Sequence, residues 1–173
     1  MSRQFSFLLI VLAFFTWTGC ADVTFEEPMP KNRRNLSHFP KPWQGTWSNG
    51  DDLNIKIEGD RFIDLDSKES FPLGEKIILR RFNKYLVLSK LTEDLGSWEV
   101  TLGKRTFDQI ELWSFDAEKI EEWQTIEGIT VGQLPRQPED SQTNYIIDAN
   151  NPAFRSMIKQ NGIKSIGLLN RVQ

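Results

Sequence analysis

The chain has 173 residues, a formal net charge of −3, six tryptophans, twelve phenylalanines, and only one cysteine and one histidine. That length supports one domain with a real hydrophobic core, built without an internal disulfide. The composition excludes a His/Cys zinc site and histidine-dependent serine chemistry. Its mild acidity gives no reason to expect a nucleic-acid partner.

Residues 1–20 read MSRQFSFLLIVLAFFTWTGC. Arg3 precedes a nearly continuous apolar run from Phe5 to Phe15, too short to cross a hydrocarbon core roughly 30 Å thick. A basic start, a short apolar stretch and small residues before a processing point describe a secretory signal over residues 1–19. Trp17, Thr18, Gly19 and Cys20 resemble the lipobox of bacterial lipoprotein precursors, with Trp17 where the family usually has leucine. The resemblance implies cleavage before Cys20 and acylation of its thiol and new amino end. Several acyl chains hold a protein stably at a membrane where one does not. It also implies a place in the bacterial cell envelope, lipid-anchored outside the cytoplasm.

Residues 20–42 read as the lipidated cysteine and a flexible tether, with four prolines and a basic run at Lys31–Arg34. A single β-rich domain is expected over residues 43–173. Trp43–Asn49 is the first expected strand, and Leu53, Ile55 and Ile57 alternate with Asn54, Lys56 and Glu58 in the next. Arg61–Leu65 returns after the turn Gly59-Asp60. Lys76–Arg81 and Tyr85–Leu91 form a second hairpin.

Trp98, Val100 and Leu102 alternate with polar residues ahead of a basic turn at Lys104-Arg105. Phe107–Phe115 then presents Ile110 and Leu112 on one side, with Glu111, Trp113 and Phe115 on the other. Ile120–Thr125 fits either a strand or a helical turn. Residues 132–143 read as a loop and Tyr145–Asp148 as a short strand. Asn151 and Pro152 open a helix carrying Phe154, Met157 and Ile158, stopped by Gly162. Ile163–Val172 closes the chain as a strand. The expected fold is all-β, an antiparallel barrel or curled sheet of about eight strands with one short helix near the C-terminus.

Gly45-Thr46-Trp47 resembles the glycine–any–tryptophan signature at the first strand of lipocalin-like barrels. In that family the tryptophan plugs one barrel end against an arginine from near the last strand. The resemblance therefore assigns barrel-end packing to Trp47 and Arg171, an indole under a guanidinium. The helix before the closing strand departs from the family pattern.

No motif for phosphate, dinucleotide or metalloprotease chemistry is present, and no catalytic residue, metal or cofactor is expected. Asp51, Asp52, Asp60, Asp64 and Asp66 gather oxygen ligands around one hairpin, but they read as turn acids and a solvated strand face. Glu111 with Glu121 or Glu122 is a remote candidate for an acid–base pair. Lys76, Arg80, Arg81, Lys84 and Lys90 surround the central hairpin with Phe82 and Tyr85. Within that group Arg80, Arg81, Lys84 and Tyr85 are a candidate binding face for an acidic or planar partner.

Two functions are expected from these features. The first is a noncatalytic, membrane-anchored, extracytoplasmic binding module for a small amphiphile or another envelope component. The second is a structural or protein-interaction lipoprotein with a filled core, using surface aromatics such as Trp113 or Trp123. Interior volume separates them.

Overall fold

A computed structural model describes residues 22–51, 53–134 and 144–172. The secretory segment, Cys20 and most of the expected loop at 132–143 lie outside the described residues. Among those described, the chain is mostly β, with twelve strands in one hydrogen-bonded network. They are β1 (Val23–Phe25), β2 (Gly45–Ser48), β3 (Asn54–Ile57), β4 (Arg61–Asp64), β5 (Ser70–Pro72) and β6 (Ile77–Phe82). There follow β7 (Tyr85–Thr92), β8 (Ser97–Thr106), β9 (Gln109–Phe115), β10 (Ile129–Gln133), β11 (Tyr145–Ala149) and β12 (Ile163–Arg171). Two helices, α1 (Ile120–Trp123) and α2 (Asn151–Lys159), accompany them. No helix among the described residues is long and apolar enough to cross a membrane.

The expectation of about eight antiparallel strands and one helix is corrected in three respects. Three strands were not expected: β1 and β5 have three residues each, too few to show a period of two, and β10 runs into Gly132-Gln133, expected as loop. β1 pairs in parallel with β11, so the network is mixed. The pairing path runs β10-β11-β1-β8-β9-β12-β2-β3-β4-β5, with β6 and β7 attached to β8, and it does not close into a ring.

The ladder branches at β8. Along one edge β8 pairs with β7 from Ser97 to Gly103. Its other edge meets β9 over Leu102–Thr106 and β1 at Trp98 and Glu99. A strand long enough to serve two neighbours on one edge joins two wings of sheet. The basic dipeptide Lys104-Arg105, expected as a turn, continues β8. The reversal comes at Phe107-Asp108, where Phe107 takes a φ of 51°.

The central strands β6 to β9 are covered on both faces. Phe82, Val87, Val100, Leu102 and Phe115 pack with Phe25 and Met29, Ile147 and Ala149 of β11, Trp123 of α1, and Phe154 and Met157 of α2. Leu79, Leu86 and Ile110 pack on the opposite side with Trp47, Ile57, Leu169 and Phe39. Strands buried on both faces lose clean alternation, which accounts for the apolar run Ile77-Ile78-Leu79 and the run Tyr85–Leu88. Phe115, Phe154 and Phe25 form an edge-on aromatic cluster within the first core.

The segment expected as a tether is part of this body. Phe25 and Met29 are both 0% exposed, and β1 lies between β8 and β11. The prolines that made residues 28–42 read as a spacer stand between hydrogen-bonded non-proline groups. Met29 N–H donates to Ser89 Oγ at 3.1 Å, Leu36 N–H to the Leu79 carbonyl at 2.8 Å, and Phe39 N–H to that of Gly59 at 2.7 Å. Proline lacks only its own donor, so a proline-rich chain can be pinned at the residues between.

The C-terminal helix starts one residue earlier than expected. Asn150 is the cap, its Oδ1 accepting from Ala153 N–H at 2.9 Å, and Asn151 instead donates its side-chain amide to the Lys31 carbonyl. Gly162 ends it, its N–H bonded to the Met157 carbonyl and no room for a Cβ against Trp123.

Candidate functional site

β2, β3 and β4 share the second core with β6 and β7, the paired strands β9 and β12 join the two sides, and that core is not full. A half-open cavity of about 270 Å³ is lined by Phe39, Trp43, Leu53, Ile55, Phe62 and Leu79, with Leu86, Leu88, Ile110, Leu112 and Leu169 among its other walls. Alternation along β7 turns Leu86, Leu88 and Lys90 toward it, while Val87 and Ser89 face the filled core. The glycine of β8 matters here. A Cβ on Gly103 would stand 3.1 Å from the Trp43 ring, so the missing side chain lets the indole lie against the strand.

Only two residues lining the cavity are exposed, Lys90 and Ile166. Ile166 is the extra residue of a bulge in β12, between Ser165 opposite Trp113 and Gly167 opposite Leu112. That bulge puts Ile166 and Leu169 on the same cavity despite their spacing. Lys90 is the sole ionisable residue of the lining, and Thr101 is the only other polar side chain there. The Lys90 ammonium lies 5.5 Å from the centroid of the Phe71 ring, which in turn stacks on Phe62 at 4.7 Å.

Trp47, in the second core, carries an arginine on its ring. The Arg171 guanidinium carbon sits 4.5 Å from the Trp47 ring centroid, and Trp47 is 0% exposed. Arg171 Nη1 and Nη2 donate to the carbonyls of Gln44 and Pro42 at 3.1 and 2.7 Å, while Trp47 Nε1 donates to that of Trp43 at 2.8 Å. Gly45 has a φ of 131°, and a Cβ there would stand 2.8 Å from Arg171 Nη1. Glycine is required at this position both by its backbone and by the cation packed on it.

The candidate face of Arg80, Arg81, Lys84 and Tyr85 is divided between two surfaces. Arg80 points to the β1 side, donating through Nε to Asn35 Oδ1 at 2.8 Å and through Nη1 to the carbonyls of Pro28 and Pro30. Burial pulls its pKa below the ordinary guanidinium value, against the opposing pull of Glu27. It is a clamp on the 28–35 segment.

Arg81, Lys84 and Tyr85 do come together, in a shallow polar hollow beside Pro42, Trp43 and Arg105. The Lys84 ammonium lies 5.4 Å from the Tyr85 ring, and Tyr85 meets Trp113 edge-on at 5.6 Å. No family model, curated protein or solved structure matches this chain.

The remaining polar candidates serve local structure. Asp64 Oδ1 accepts from the backbone N–H groups of Asp66 and Ser67, and those bonds, Ser67 first, hold its carboxyl below the usual carboxylate range. Asp60 is lowered by its hydrogen-bonded ion pair with Arg61. Asp66 accepts from Asn54, and Lys76 pairs with Glu93. Glu111 and Glu122 pair with different lysines, Lys104 and Lys119. Among the described residues no group of three or more His, Cys, Asp or Glu side chains is arranged to hold a metal. Trp123, expected as a surface aromatic, is 1% exposed and belongs to the core, while Trp113 is half-buried against Tyr85.

The cavity itself was not legible as a site. Its wall residues look like ordinary strand apolars, and Lys90 is separated in sequence from most of them. A cation on the inward face of an otherwise apolar strand, Leu86-x-Leu88-x-Lys90, was the available signal.

Proposed function

We propose that this chain is a noncatalytic binding module of the bacterial cell envelope, anchored by lipid at Cys20, that takes a small amphiphile between its two wings of strands. The carrying observation is the half-open apolar cavity of about 270 Å³. This volume lies near the lower edge of the range of roughly 300–1,000 Å³ typical of small-molecule sites. A single alkyl chain or one compact ring system suits it better than a branched lipid.

The apolar side chains that β2–β4 share with β6 and β7 in the second core support a site between the two wings. The Arg81, Lys84 and Tyr85 hollow offers a secondary surface for an acidic envelope component.

Native mass spectrometry of the intact protein, extracted gently from its own envelope, tests the binding role. The expected result is a retained small molecule that is lost when Leu88→Trp fills the cavity; an empty protein that also takes up no added amphiphile overturns it. Feeding cells an alkyne fatty acid tests the anchor. Label should appear on the wild-type chain and vanish with Cys20→Ser, and an unlabelled, uncleaved cytosolic wild-type protein overturns that part.

A further inference from the structure

We infer that Lys90 selects the ligand's headgroup, so that the cavity takes a single-chain amphiphile ending in a carboxylate or a similar monoanion. This rests on the cavity being the binding site. Three observations carry the inference. Among the described residues Lys90 is the one ionisable side chain of the lining, and it is exposed where the other β7 lining residues, Leu86 and Leu88, are not. Its ammonium forms no ion pair among the described residues, even with Glu99, which stands opposite it in the β7–β8 ladder. Its ammonium lies over the Phe71 ring, which stacks on the cavity residue Phe62, so the charge is held next to the cavity wall.

An alkyl tail packed on Leu88, Leu112 and Phe62 brings its polar end out at the rim, beside an uncommitted cation. A carboxylate there accepts a charge-assisted hydrogen bond from the ammonium. A neutral alcohol gains less, and an ammonium head is repelled. Thr101 supplies a hydroxyl on the same wall for a second contact.

Calorimetric titration of the full mature chain, held in an amphipathic polymer to avoid competing micelles, with decanoate, decanol and decylamine decides the matter. Decanoate should bind about three- to tenfold more tightly than decanol, and decylamine most weakly. Lys90→Met should bring decanoate down to the level of decanol, with decanol itself changing much less than decanoate. Equal binding of decanoate and decanol, or a preference that survives Lys90→Met, overturns the inference but leaves the cavity as a site. Absence of binding by all three overturns the cavity reading itself. Lys90 is exposed, and an unaltered melting temperature confirms that the variant is folded.

Discussion

Substitution of Gly45 has a direct consequence. Its φ of 131° lies where L side chains are strained, and the nearest obstacle to a Cβ is a guanidinium nitrogen fixed by two carbonyl acceptors. Gly45→Ala is therefore expected to destabilise the fold by about 1–3 kcal/mol in urea unfolding, mostly from the backbone. It should also displace Arg171, which a change in Trp47 fluorescence reports. Asp64 gives a pH prediction. Its carboxyl is ionised more readily in the folded chain than in the unfolded one, because Ser67 and Asp66 N–H groups donate to it. Its contribution is thus present above the unfolded pKa, near 3.9, and is lost as pH falls through the lower folded value. A carboxyl NMR titration should place its midpoint below the ordinary aspartate range, and Asp64→Asn should flatten the acid limb of the stability profile.

Element by element, strands with regular alternation, such as β3, and apolar runs bounded by turns, such as β6 and β7, were readable from sequence. β3, β6, β7 and β9 fall within two residues of their expected bounds, and the 3.6-residue spacing of Phe154, Met157 and Ile158 marked α2. What escaped notice were strands too short to have a period. β1 offers only Val23, Thr24 and Phe25 ahead of a proline-rich run, and its strand character comes wholly from partners far away in sequence, Tyr145–Ile147 and Trp98–Glu99. A prediction follows for this element. Phe25→Ala should cost about 3–5 kcal/mol, as for an aromatic truncated in a packed core. A chain starting at residue 43 should fail to give a cooperative thermal transition, since it lacks both Phe25 and Met29. A truncated chain that melts cooperatively at the full-length temperature would show that β1 is dispensable.

The whole molecule has one sheet with unequal sides. The face toward α1, α2 and β1 is filled, whereas the face toward β2–β4 and β12 keeps a cavity. The two sides should respond differently to the same change. Leu102→Ala, on the filled side, is expected to cost about 2–5 kcal/mol. Leu88→Ala, half-buried beside the cavity, should cost roughly 1 kcal/mol, because its side chain already lacks part of a packing shell. Chemical denaturation of the two variants side by side measures the difference. This asymmetry could not be read from the sequence. Leu102 and Leu88 belong to similar alternating apolar runs, and only the strand order decides which run is covered completely.

The position of β1 also governs how the body answers to force. The Asp22 carbonyl already accepts from Tyr145 N–H, and β1 is paired with β11 over all three residues and with β8 at Thr24 and Phe25. A load entering the described body at Asp22 therefore arrives first on a strand held by neighbours on both edges. The chain is fastened at its amino end like a riveted plate, so tugging there meets the deepest part of the molecule before any outer hairpin can yield.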